Sequence, residues 1–232
     1  MSELDHFDWP ALTEKLDSQG WAVLPGLLTA SASRDMAALF PLDAPFRKHV
    51  VMARHGYGSG DYKYFASPLP AEVATLRAAL YRHVMPLADR WSQAMGIGVR
   101  YPASHQDFID RCHAAGQTRP TPLLLQYGAG DYNCLHQDLY GEHVFPLQMA
   151  ILLSRPGQDF TGGEFLLTEQ RPRMQSRAHV VPLGQGDAVV FAVNHRPVRG
   201  ARGHYRVALR HGVATVGAGQ RHTLGIILHD AA

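Results

Sequence analysis

Cysteine is nearly absent: the 232 residues hold two, Cys112 and Cys134. Two isolated cysteines exclude a disulfide framework and the paired spacing of a structural zinc site, and they fit a reducing compartment. Charge of one sign is also lacking. The chain has 22 Lys+Arg against 20 Asp+Glu, a net charge of +2, whereas a dedicated nucleic-acid binder carries a marked basic excess. No apolar run approaches the roughly 20 residues of a membrane span. The opening MSELDHFDWP is acidic and has no apolar stretch like that of a secretory leader. These absences predict a cytoplasmic protein with no membrane partner. They favour a small-molecule, protein or peptide substrate over nucleic acid. With 46% hydrophobic residues, one sizeable core is expected, and so a single domain over 1–232.

The first half reads as helical. Asp8 can cap a helix that carries Pro10 in its first turn and stops at Gly20. WAVLPGLL predicts a short strand, and TASASRDMAALF a second helix. Residues 43–68, rich in Gly and Tyr, read as loop or irregular strand. From Pro70 to Met95 the spacing of Val73, Leu76, Leu80, Val84 and Leu87 is helical, and Pro86 should kink or divide that helix. From Thr121 the texture changes to short apolar runs between Gly, Pro and Asp, which predicts a β barrel or sandwich. The expected organisation is a helical support over 1–117 and a β catalytic core over 118–232.

Three His-x-Asp pairs stand out: His6/Asp8, His105/Asp107 and His136/Asp138. About one is expected by chance in a chain with 14 histidines, so geometry must choose. Residues i and i+2 of a strand share a face and can reach one ion; on a helix they diverge by roughly 200°. Ser104-His105-Gln106-Asp107 has the form of a capping box at a helix start. There His105 should contribute only about 0.5 kcal/mol to stability. Asp8 is better used as a cap. His136 and Asp138 follow a strand-like run and suit a chelate. A second histidine would complete the two-His, one-carboxylate face of a non-haem iron site; His195, His204 and His211 are the late candidates.

One further motif resembles a known family. HGVATVGAGQR is similar to the second-histidine segment of the iron(II)- and 2-oxoglutarate-dependent oxygenases, especially the prolyl/lysyl hydroxylase-like group. The pattern is His211, Val213, Val216, Gly219 and Arg221; His195 and His204 have Tyr205 and Ala214 where it requires a basic residue. YGAGDYNCLHQD, with Tyr127 and Gly130, resembles the family's lead-in to His-x-Asp. Gly162-Gly163-Glu164 and GQGDAVVF resemble two of its turns. The resemblance implies a double-stranded β-helix (a cupin-like jelly roll) and an Fe(II) held by His136, Asp138 and His211. It further implies 2-oxoglutarate held by Arg221, Thr223 and Tyr127, with ascorbate as a candidate reductant. Tyr127 is otherwise a core residue with a satisfied hydroxyl. Strand parity agrees, placing His211 with Val207 and Leu209, and Arg221 with Thr223.

The implied activity is hydroxylation of a C–H bond, of a prolyl or other amino-acid side chain, releasing succinate and CO2. A nucleic-acid demethylase of the same superfamily and a non-enzymatic metal-binding jelly roll are the alternatives. Residues 194–206 hold four arginines (196, 199, 202 and 206) and read as a solvated loop or as a lid for an acidic substrate. Cys134 reads as a small buried residue.

Overall fold

The computed structural model describes residues 3–232. The first half contains α1 (Trp9–Gln19), β1 (Trp21–Leu24), α2 (Ala30–Ala37), β2 (Phe46–Val51), β3 (Gly58–Ser59), β4 (Asp61–Phe65), α3 (Ala71–Ala94) and α4 (His105–Ala114). The second is all strand: β5 (Leu123–Tyr127), β6 (Tyr132–His136), β7 (Leu147–Leu152), β8 (Phe160–Gly162), β9 (Phe165–Gln170), β10 (Arg177–Val181), β11 (Ala188–Ala192), β12 (His195–Gly200), β13 (Gly203–Val213), β14 (Val216–Gly219) and β15 (Arg221–Ile226). The fold is mostly β with a few helices. One seven-stranded sheet has the order β1-β11-β7-β15-β5-β4-β2, and a second runs β10-β9-β13-β6-β3, with β12 beside β13.

The helices lie on the seven-stranded sheet because their apolar stripes match its outer face. Leu12 and Leu16 of α1 and Val73, Leu80, Val84 and Leu87 of α3 share a core with Met149, Ile151, Val190 and Leu224. Burying each such side chain stabilises the fold by about 1.5–3 kcal/mol. Asp8 caps α1 by accepting from Ala11 N at 3.1 Å, and Gly20 ends it. No helix among the described residues is long and apolar enough to cross a membrane.

Residues 43–68, read as loop or irregular strand, contain strand with a register shift: β2 and β4 pair with each other, and β4 pairs with β5, so the hairpin extends the large sheet. Two regions differ from the sequence reading. Pro86 does not divide α3, which runs unbroken through it. Val84, Leu87 and Trp91 on either side of it are buried in the same core, which offsets the lost hydrogen bond. Residues 194–206 are neither loop nor lid, because β12 and β13 form a hairpin paired from His195↔Ala208 to Gly200↔Gly203. Its Arg196 is buried, donating to Glu169 Oε2 at 2.6 Å and to the Asp17 carbonyl at 2.9 Å. Arg206 donates to the Met95 carbonyl. These arginines fasten the hairpin to the helices.

Candidate metal centre and co-substrate pocket

Three side chains converge between the two sheets. His136 is the last residue of β6, Asp138 lies two residues beyond it, and His211 sits within β13. One ligand atom from each falls within 4.8 Å of the others. His211 Nε2 is 3.3 Å from Asp138 Oδ2, and His136 Nε2 is 3.5 Å from Asp138 Oδ1. The imidazole centroids are 4.1 Å apart. Asp138 and His211 are buried, while His136 is open on one side. His136 Nδ1 bonds the Cys134 carbonyl at 2.8 Å, which leaves Nε2 to face the centre.

The strand that carries His136 is irregular for a reason. His211 pairs with His136 and Val213 with Asn133, so Cys134 and Leu135 together oppose Gly212. Such a bulge re-aims the side chains on either side of it. Asn133 and His136 are an odd number of residues apart, yet both line the cavity. Gly212 permits the close approach, since a Cβ there would lie 2.7 Å from the Asn133 carbonyl oxygen. The bulge also leaves Cys134 exposed rather than buried as its position in the sequence implied.

The electrostatics follow from burial against pairing. Burial pushes the Asp138 carboxyl up, but its contacts with His136 and His211 win and hold it well below the ordinary carboxylate range. Burial pushes His136 down; Asp138 outweighs this and raises it. His211 is lowered, by burial first and by the neighbouring His136. Tyr140 Oη donates to Asp138 Oδ1 at 2.6 Å, and Gln148 Nε2 donates to Asp138 Oδ2 at 2.7 Å.

Farther into the same cavity, of about 500 Å³, lies Arg221. It begins β15 opposite Tyr127, the last residue of β5. Its guanidinium is 5.6 Å from the centroid of the Tyr127 ring and donates to Thr223 Oγ1 at 2.5 Å. Gly163 makes room for it, because a Cβ there would meet Arg221 Cδ at 3.0 Å. Arg221 is 1% exposed and its Nε has no acceptor; Glu164 acts on it electrostatically but forms no hydrogen bond with it. Burial lowers its pKa to about 10. A buried guanidinium without a counter-anion is costly, and an anion entering the cavity would offset that cost. Tyr127 is fully buried, accepts a 3.3 Å hydrogen bond from Asn133, and is raised to about 12 by burial.

A two-imidazole, one-carboxylate set with a fork-shaped cation in the same cavity is the combination that a chelating keto-acid needs. The sequence profile of an oxygenase family, described as catalysing oxidative methylation of damaged DNA, matches residues 60–231. The chain belongs to this oxygenase family. An uncharacterized protein of Mycobacterium tuberculosis is 51% identical over 168 residues, 72% of each chain. Among solved structures, a prolyl-4-hydroxylase of Pseudomonas putida is 18% identical with a TM-score of 0.55, over 94% of this chain and 96% of that one. A 2OG-Fe(II) oxygenase family oxidoreductase of Burkholderia pseudomallei is 17% identical with a TM-score of 0.54, over 98% and 94%. The oxygenase is thus an oxidoreductase with the fold of the iron(II)/2-oxoglutarate enzymes, prolyl hydroxylases included. The expectation set against nucleic acid has no support here, since the family's own description names DNA; a small net charge describes the whole surface and not one cleft.

Of the three His-x-Asp pairs, only His136/Asp138 joins such a cluster among the described residues. His105 lies at the start of α4, where Ser104 Oγ accepts from Asp107 N at 3.1 Å. Asp8 caps α1. His195 and His204 lie on the β12–β13 hairpin, outside the cluster. Sequence reasoning passed over Tyr140 and Gln148. Gln148 had left a signal, as the one polar residue in the apolar run of β7, LQMAIL.

Proposed function

We propose that His136, Asp138 and His211 hold iron(II) and that the oxygenase hydroxylates a C–H bond at the expense of 2-oxoglutarate. The observation that carries this reading is the buried Arg221, its Nε without an acceptor, in the cavity of the three ligands. Iron(II) with bound 2-oxoglutarate supplies the activation of dioxygen, which yields succinate, CO2 and an oxidised C–H bond. The chain supplies position. Arg221 and Thr223 grip the far carboxylate of 2-oxoglutarate by charge-assisted bonds, with Tyr127 beside them. Phe191 and Phe165, whose ring centroids lie 4.7 and 6.1 Å from that of His211, keep water from one side of the centre. The two sheets form a double-stranded β-helix. Residues 118–232 carry the chemistry, residues 1–117 support them, and the whole works as one cytoplasmic domain, with ascorbate restoring iron(II) between cycles.

For the substrate, the cavity mouth favours a nucleic-acid base over the peptidyl side chain of the prolyl hydroxylases. Tyr57, 51% exposed, stacks on His55 with ring centroids 5.3 Å apart, and the exposed Lys48 lines the same cavity. An open aromatic pair beside a cation suits an unstacked base and its phosphate. The family's description points the same way. The test is succinate formation from 2-oxoglutarate with Fe(II), in the presence of an alkylated single-stranded oligonucleotide or of proline-containing peptides. Stimulation by the oligonucleotide and not by the peptides is expected. Stimulation by the peptides alone overturns the substrate, and no turnover of 2-oxoglutarate with iron bound overturns the reaction.

A further inference from the structure

Gln148 is a polar side chain that neither the ligand set nor the 2-oxoglutarate pocket uses. It lies on β7, is 4% exposed and lines the cavity. Its Nε2 is 2.7 Å from Asp138 Oδ2 and 3.3 Å from His211 Nε2. Its Oε1 is buried and has no partner. The two ends of an amide are often interchangeable in a structure, but not here. A carboxylate that ligates a metal can only accept, so the atom 2.7 Å from Asp138 Oδ2 must be the N–H donor. The carbonyl oxygen is then the end of the amide turned away from Asp138 Oδ2, buried and without a partner. A buried acceptor left unpaired is costly, and a structure retains one where a donor arrives in the working state.

We propose that Gln148 is a positioning residue of the metal centre, whose N–H fixes the Asp138 carboxylate while its carbonyl accepts a hydrogen bond from a water on the metal. The inference rests on the metal-centre reading above. Tyr140 provides an internal comparison. It donates to the other carboxylate oxygen at 2.6 Å and, unlike Gln148 Oε1, its oxygen is not a buried atom without a partner. Loss of Tyr140 therefore removes one of two clamps on Asp138. Loss of Gln148 removes a clamp and a water's partner together.

The test uses Co(II), which two imidazoles and a carboxylate bind in place of iron and whose visible absorption strengthens as coordination number falls. Co(II) is titrated anaerobically into the metal-free wild type, Gln148→Leu, Gln148→Asn, Tyr140→Phe and His136→Ala. Gln148→Leu and Tyr140→Phe should each lose about 10- to 100-fold in affinity, as for other partners of metal ligands. Only Gln148→Leu should also gain several-fold in band intensity, as a water leaves the ion. Gln148→Asn, which keeps the amide but draws it back by one carbon, should move in the same direction by less. It also serves if the leucine variant does not fold. Wild-type affinity and spectrum in both Gln148 variants overturn the proposal, and weaker binding with an unchanged band overturns the carbonyl's role. Equal binding by wild type and His136→Ala would instead overturn the metal-centre reading itself.

Discussion

The tripeptide His-Gln-Asp occurs twice, once at the start of α4 and once at the end of β6, and the two copies share nothing but their letters. In the first, His105 bonds the Leu228 carbonyl at 2.9 Å and packs on Tyr81, Gln106 reaches along the helix to Asp110, and Asp107 gives its backbone N–H to Ser104. The side chains disperse, and the copy pins the C-terminal segment to α4. In the second, His136 and Asp138 converge with His211, and Gln137 turns away to donate to the Leu209 carbonyl at 2.8 Å. The direction in which backbone geometry throws the side chains decides what a motif does. A helix turn separates i from i+2, and a strand end brings them together.

The largest effect that would break this contrast is the loss of a ligand. His136→Ala should abolish the visible charge-transfer band of the anaerobic iron–2-oxoglutarate complex, and turnover with it. His105→Ala should keep both. Equal loss in the two variants would remove the distinction.

Acid should sharpen it next. Burial first, and then the nearby Arg77 charge, lower His105 to about 4. Because its folded pKa is depressed, the stability it contributes is present above the unfolded value near 6.5 and is lost as pH falls toward 4. The loss approaches roughly 3 kcal/mol. His136 in the metal-free protein is raised, so its contribution is present below about 6.5 and is lost as pH rises through its folded value. Melting temperatures of the metal-free protein against pH should therefore be flattened on the acid side by His105→Ala and on the neutral-to-alkaline side by His136→Ala.

Arg221 tests the other half of the β6 copy's surroundings. Arg221→Lys keeps the charge but loses the fork, and should weaken 2-oxoglutarate by one to two orders of magnitude, about 1.5–3 kcal/mol. Arg221→Ala should be worse, and Co(II) affinity should change in neither. A titration of 2-oxoglutarate against the charge-transfer band reads this directly. Unaltered affinity in Arg221→Ala would place the grip elsewhere. The smallest effect is the stability change in His105→Ala at neutral pH, measured by denaturant unfolding. The about 0.5 kcal/mol expected of a helix-start residue is too small for a half-buried ring with a partner. About 1–2 kcal/mol is expected from its hydrogen bond to Leu228 and its packing on Tyr81.

The β half was legible because its turns carry their reasons in sequence. Gly163 must clear Arg221, and the Arg221-x-Thr223 spacing puts both side chains on one strand face. The β2–β4 hairpin was legible only as loop or irregular strand, because Gly56, Gly58 and Gly60 crowd the segment that joins its two strands. What orders it is pairing with β5, a contact distant in sequence. Charge misled at the β12–β13 hairpin, where Arg196 is buried and paired with Glu169. The bulge at Cys134–Leu135 left no trace in the letters, since it is a property of two strands and not of one. The N-terminal helices were readable from caps and periodicity, but the role of Pro86 depended on packing that no single helix contains.

The close approach at Gly212 has a consequence for ionic size. The two imidazoles are carried by strands whose separation is limited by backbone touching backbone, at a point where even a methyl group would collide. The spacing of the two strands is therefore set by the chain and not by the ion, and the fit to ions of different radius falls to rotation of the two imidazoles about their side-chain bonds. In a relative that carries alanine at this position the strands would have to shift, and the two imidazoles would move with them.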